Sequence, residues 1–144
     1  MNKKMLIVED DEDDEKLIMI SLKDSNIVNE LVVVRDGQEA LDYLFATGPY
    51  AGRDPADMPV VVFLDLHLPK VDGLEVLQRL RADARTRRLP VVILTSANEE
   101  KDRLASYDLG ANSFVRKPVN FDEFARAIKE LQLYWLVLNQ PPLG

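Results

Sequence analysis

The chain has no cysteine, one histidine and one tryptophan among its 144 residues. Without cysteine there is no disulfide framework, no thiolate zinc site and no cysteine nucleophile. No long apolar run stands near the N-terminus, which argues against a signal peptide or membrane span. A soluble cytoplasmic protein is the expectation. Basic excess is missing too: 18 Lys and Arg face 25 Asp and Glu, for a formal net charge of −7. Most of that imbalance has one address, the unbroken run Glu9 to Glu15; outside it, 18 acids balance 18 bases. A neutral body with an acidic knot lacks the clustered cations that nucleic acid or an anionic membrane requires. Arg79, Arg81, Arg85, Arg87 and Arg88 form the one basic cluster, and a solvated helix end is the simpler reading of it than a docking site.

What is present suits one domain. The chain is 47% apolar, enough for a core. Short apolar runs recur at Met5–Val8, Leu31–Val34, Val60–Leu64, Val91–Leu94 and Ser113–Val115. Most are continuously apolar rather than alternating, as strands covered on both faces should be. Helix-patterned stretches follow at Leu17–Lys23, Gln38–Ala46, Gly73–Arg81, Glu99–Leu109 and about Phe121–Leu138. Five βα units predict an α/β fold, a five-stranded parallel sheet wound on both sides. Residues 1–139 form the domain and 140–144, with Pro141 and Pro142, a frayed tail. Thr47 to Pro59, rich in Gly and Pro, reads as a long loop.

In an open parallel sheet, ligands bind beyond the C-terminal strand ends. There the sequence places Glu9 and Asp10 after the first run, Asp65 after the third, Thr95 after the fourth and Lys117 after the fifth. Neighbouring carboxylates repel unless a cation neutralises them. Mg²⁺ fits, because it takes one or two carboxylates and leaves room for water and phosphate oxygens. A lysine opposite would give a phosphoryl group a second positive point. Phosphoryl transfer depends mainly on positioning and charge neutralisation, and a carboxylate can itself be the nucleophile. Taken singly, each residue has a plainer explanation: Asp10 and Thr95 as helix caps, Lys117 as a surface lysine.

Together the segments resemble the receiver domains of bacterial response regulators, the flavodoxin-like, CheY-like (βα)5 family. The resemblance rests on Leu6-Ile7-Val8-Glu9-Asp10-Asp11, Phe63-Leu64-Asp65-Leu66-His67-Leu68-Pro69 with Asp72-Gly73, Ile93-Leu94-Thr95-Ser96-Ala97, Gly110-Ala111 and Lys117-Pro118. It implies that Asp65 accepts a phosphoryl group from a histidine kinase. Asp10, Asp65 and the backbone carbonyl of His67 would ligate Mg²⁺, for which Mn²⁺ could substitute, with Glu9 acting through water. Lys117 would pair with the phosphoryl group, Thr95 would turn its hydroxyl onto it, and Phe114 would turn inward in concert. The bond before Pro118 would be cis. His67 and Ala97 would flank the site where aspartyl-phosphate lifetime is tuned. Such a protein is a phosphoacceptor rather than an enzyme, with only self-phosphorylation and self-dephosphorylation expected.

The resemblance ends near Leu131, which implies a stand-alone receiver signalling through the surface of its fourth helix, fifth strand and fifth helix. On the last helix, Phe124, Ile128, Leu131, Trp135 and Leu138 form one inward stripe, while Leu133, Leu136 and Val137 fall opposite. That second apolar face predicts a homodimer through the C-terminal helix. The Gly/Pro loop and the hydrophobic extension resemble the small regulators that partner bacterial phytochromes, light-sensing kinases. Three rivals stay open: a Mg²⁺-dependent phosphatase of the haloacid-dehalogenase type, a degenerate receiver that only binds, and a flavodoxin-like cofactor binder. Against the first, His67 stands where a second aspartate is needed. Against the last, the turn after Val8 is acidic.

Overall fold

β1 (Lys3–Val8), β3 (Val61–Leu64) and β4 (Val91–Thr95) are almost wholly buried, and their alternate residues feed two separate cores. Leu6, Val8, Val62, Leu64, Val91 and Ile93 point to one face; Met5, Ile7, Val61, Phe63, Val92 and Leu94 point to the other. This is the period-2 geometry of a strand covered on both sides, and it explains the unbroken apolar runs. The computed structural model describes residues 3–24, 27, 29–96 and 99–142. With β2 (Asn29–Val34) and β5 (Ser113–Arg116) the strands form one parallel sheet in the order β2-β1-β3-β4-β5. The order reverses between β1 and β3, so the ligand crevice lies over their C-terminal ends.

α2 (Gly37–Phe45) and α3 (Gly73–Ala82) pack on the first face through Leu41, Leu44, Val76, Leu77 and Leu80. α1 (Glu12–Lys23) and α5 (Phe121–Leu133) cover the second through Leu17, Ile18, Leu22, Phe124 and Ile128. α4 (Glu100–Asp108) buries little beyond Ser106, and its Leu104 and Tyr107 are exposed. Asp11 caps α1 by accepting from the Asp14 amide, so the acidic run from Glu12 to Glu15 forms the first helical turn. Negative charge there suits the positive end of the helix dipole.

Two expected features gain detail and one changes. The stretch Thr47–Pro59 is a packed loop: it opens with a 3-10 turn at Gly48–Tyr50, Arg53 lies over the Tyr43 ring, and Asp57 pairs with Lys4. The basic cluster is largely solvated, with Arg79, Arg85, Arg87 and Arg88 exposed, and Arg81 is its tie into the fold. Arg81 donates to the carbonyls of Gly110 and Thr86 and to Asn112 Oδ1, Arg79 pairs with Glu75, and Arg85 pairs with Asp83.

The change concerns the C-terminal helix. Leu136, expected on the outer face, is buried, and Leu138, expected inside, is exposed. The cause is a π-helical segment at Tyr134–Leu138, where the Asn139 amide donates to Tyr134 O, five residues back. The wider turn advances each residue by a smaller angle than an α-turn does. Leu136 therefore falls in line behind Phe124, Ile128 and Gln132, and Leu138 swings out. Leu133, Tyr134 and Val137 remain exposed, as does Leu138. Pro141 and Pro142 turn back to line a cavity with Trp135 and Lys3, and Leu143 and Gly144 lie outside the described residues.

Candidate functional site

The backbone carries Glu9, Asp65 and Lys117 to the same edge of the sheet. The Glu9 amide bonds Val34 O, the Asp65 amide bonds Val8 O and the Lys117 amide bonds Thr95 O. These bonds extend the strand ladders past β1, β3 and β5 and fix where the polar side chains begin. Beyond Asp65 the chain turns tightly into α3. The Gly73 amide bonds Leu66 O, and a Cβ at Gly73 would lie 2.3 Å from Asp65 O, so only glycine allows this approach. Lys70, in the same loop, sits at φ 68°, a left-handed conformation that lysine rarely adopts.

Glu9, Asp65, Thr95 and Lys117 are buried, whereas Asp10 is exposed. The ammonium of Lys117 lies 2.6 Å from Glu9 Oε1, 2.8 Å from Asp65 Oδ2 and 2.7 Å from Asp14 Oδ2. Thr95 Oγ1 donates to Asp65 Oδ1 at 2.8 Å, and the His67 amide approaches the same oxygen at 3.3 Å. Both oxygens of Asp65 thus accept from the protein.

These contacts set the charges. Burial works against ionisation of Asp65, but Lys117, Thr95 and the His67 amide more than offset it and hold the carboxyl below its ordinary value. Burial likewise disfavours the Lys117 cation, yet the three carboxylates around it raise its pKa. Glu9 is pushed up to about 7, chiefly by burial, against the opposing pull of Lys117. Carboxylate oxygens of Glu9, Asp10 and Asp65 come within 4.8 Å of one another. Three hard oxygen donors so close fit a divalent cation of the Mg²⁺ or Mn²⁺ kind.

The plainer explanations fail on geometry. Asp11 and Glu99, not Asp10 and Thr95, hold the cap positions of α1 and α4, and Lys117 is not a surface lysine. Phe114 packs, partly buried, against the core on the α2–α3 face. The His67 side chain is exposed, and Ala97 lies outside the described residues. No cis peptide bond occurs among the described residues, so Lys117–Pro118 is trans, the isomer that X–Pro bonds intrinsically favour. Lys117 reaches the carboxylates all the same. Asp14 was hidden in the sequence by the acidic run; its one signal is its place in the first turn of the helix that follows the Glu9-Asp10 pair.

Residues 5–129 match the model of the response regulator receiver domain. The chain belongs to the response regulator receiver family. It is therefore a two-component signalling protein, from a family of regulators rather than of classical enzymes. The response regulator Rcp1 of Synechocystis sp. is 37% identical over 93% of this chain and 89% of its own length. Its Mn²⁺-bound crystal structure superposes with a TM-score of 0.90, at 36% identity over 97% of this chain and 99% of that one. The phosphorylated cyanobacterial phytochrome response regulator RcpA gives a TM-score of 0.92 at 38% identity, with 99% of both chains covered. The bacteriophytochrome response regulator RtBRR is 50% identical over 100% of this chain and 86% of that chain, with a TM-score of 0.78. Among the described residues of this receiver, no helix is long and apolar enough to cross a membrane.

Proposed function

We propose that Asp65 of this receiver is the phosphoacceptor for a histidine kinase, with Mg²⁺ as the working cation. The observation that carries this reading is the buried Asp65 carboxylate, held between Lys117 and Thr95 beside Glu9 and Asp10. One Asp65 oxygen attacks phosphorus, the bond from phosphorus to the kinase imidazole nitrogen breaks, and the electron pair leaves with that nitrogen. Lys117 and the Thr95 hydroxyl stand ready to donate to phosphoryl oxygens. Asp10, Asp65 and the His67 carbonyl would hold the cation directly and Glu9 through water. Bound there, it would neutralise charge building on the transferring group. His67 and Ala97 would tune how long the acyl phosphate lasts.

The kinase is a bacterial phytochrome in this reading, supported by the phytochrome regulators RcpA and RtBRR, which align with nearly the whole chain. Phosphorylation would bias Thr95 and Phe114 between two positions and so alter the α4-β5-α5 surface, where Leu104, Tyr107, Val119 and Phe121 are exposed. The exposed residues Leu133, Tyr134, Val137 and Leu138 support a homodimer through the C-terminal helix, with Leu136 removed from that surface by its burial. Phosphotransfer is the test: a phosphorylated phytochrome kinase should pass label to wild type far faster than an unrelated histidine kinase does, and not at all to Asp65→Asn. Equal rates from both kinases would remove the phytochrome assignment; label on Asp65→Asn would remove the acceptor assignment.

A further inference from the structure

Lys117 carries three N–H donors on its ammonium, and three carboxylates take them. Glu9 and Asp65 come from strand ends and belong to the acidic group that fits a cation. Asp14 does not belong to that group. It comes from the first turn of α1, where its own amide is tied to Asp11 Oδ1 at 2.9 Å. Its side chain is 30% exposed, against 5% for Lys117, so it closes the solvent side of the ammonium. Between α1 and the β5–α5 connection lies a cavity of about 240 Å³ lined by Asp14, Leu17, Lys117, Pro118 and Phe121. A lysine with four rotatable methylenes could turn into that space if nothing held its tip.

From these contacts we infer that Asp14 is the positioning residue for Lys117. It anchors the ammonium from the α1 side so that one N–H bond stays aimed at the Asp65 carboxylate. The inference rests on the acceptor reading above and deepens it. Of the two anchors beside Asp65, Glu9 must serve a divalent cation as well as Lys117. Asp14 has no such second duty. It is therefore the carboxylate that keeps the ammonium in place once the cation draws on Glu9. The same contact ties the N-terminal turn of α1 to the residue that follows β5.

The test is the affinity for beryllofluoride, a phosphoryl mimic, titrated with Mg²⁺ into the full chain and read by fluorine NMR. Asp14→Ala should weaken it by about tenfold or more, the worth of one charge-assisted hydrogen bond. Asp14→Asn, uncharged but of the same size, should lose affinity in the same direction. In a Lys117→Ala background Asp14→Ala should cause no further loss, because the residue acts through that lysine. In the metal-free protein, nitrogen NMR should find the Lys117 ammonium protons exchanging with water faster in Asp14→Ala than in wild type. A purely structural ion pair would lower the melting temperature and leave the beryllofluoride affinity unmoved. Wild-type binding matched or exceeded by Asp14→Ala overturns the role of Asp14 alone. A wild type that takes no beryllofluoride overturns the acceptor reading beneath it.

Discussion

Thr95 Oγ1 donates to Asp65 Oδ1 at 2.8 Å, and both side chains are buried. The hydroxyl at the end of β4 is thus already engaged with the carboxylate at the end of β3, two neighbouring strands of the sheet. Replacing Thr95 with Val keeps the shape and removes the donor. The buried carboxylate then loses a partner, and stability should fall by about 1–3 kcal/mol, measured by urea unfolding. Acyl phosphate should still form on Asp65. Beryllofluoride should alter hydrogen exchange across α4 and β5 in wild type and leave it unaltered in Thr95→Val, because in the proposed switch the hydroxyl links the two.

Gly73 makes a second prediction. Its Cα lies so near the turn after β3 that an added Cβ would meet Asp65 O at 2.3 Å and Leu66 Cα at 2.7 Å. Backbone on both sides cannot yield as a flexible side chain would. Gly73→Ala should therefore displace the loop carrying Asp65 and His67, lower stability by roughly 1–3 kcal/mol and reduce labelling of Asp65. Gly52, with nothing within 4 Å of a built Cβ, is the control, and Gly52→Ala should change neither quantity.

The π-helical turn that follows α5 exchanges Leu136 and Leu138 between the two apolar faces that a uniform α-helix would present. Leu136→Ala should cost roughly 2–5 kcal/mol of monomer stability, since the side chain is 1% exposed and packs with Ile128 and Phe124. Val137→Asp should leave the monomer intact and abolish the proposed dimer. Light scattering over a concentration series distinguishes them. Wild type that stays monomeric at high concentration, with and without beryllofluoride, would remove the dimer.

The parallel sheet, its winding and the strand-end residues could all be read from the sequence, because each depends on a local pattern: an apolar run, then a polar residue where the run stops. Glu9, Asp10, Asp65, Thr95 and Lys117 each follow such a run. What escaped depends on pairing across the fold or on a departure from ideal helix geometry. Asp14 is one of seven consecutive acids, and only the approach of the first turn of α1 to the residue after β5 selects it as a partner of Lys117. Arg81 looks like a surface residue until the loop around Gly110 comes within reach of its guanidinium. A rotation of about 100° per residue puts Leu138 inside and Leu136 outside, and the wider turn reverses the two.

In the proposed mechanism Asp65 becomes phosphorylated with help from a cation held by Glu9, Asp10 and Asp65. Intact-mass spectrometry after incubation with acetyl phosphate and Mg²⁺ tests it most directly, run on wild type, Asp65→Asn and Asp10→Ala, each with and without EDTA. Wild type should gain one phosphoryl group, Asp65→Asn none, and Asp10→Ala much less, with EDTA suppressing the reaction throughout. Labelling that survives EDTA unchanged would rule out the cation's part in the reaction, and labelling that persists in Asp65→Asn would rule out Asp65 as the acceptor.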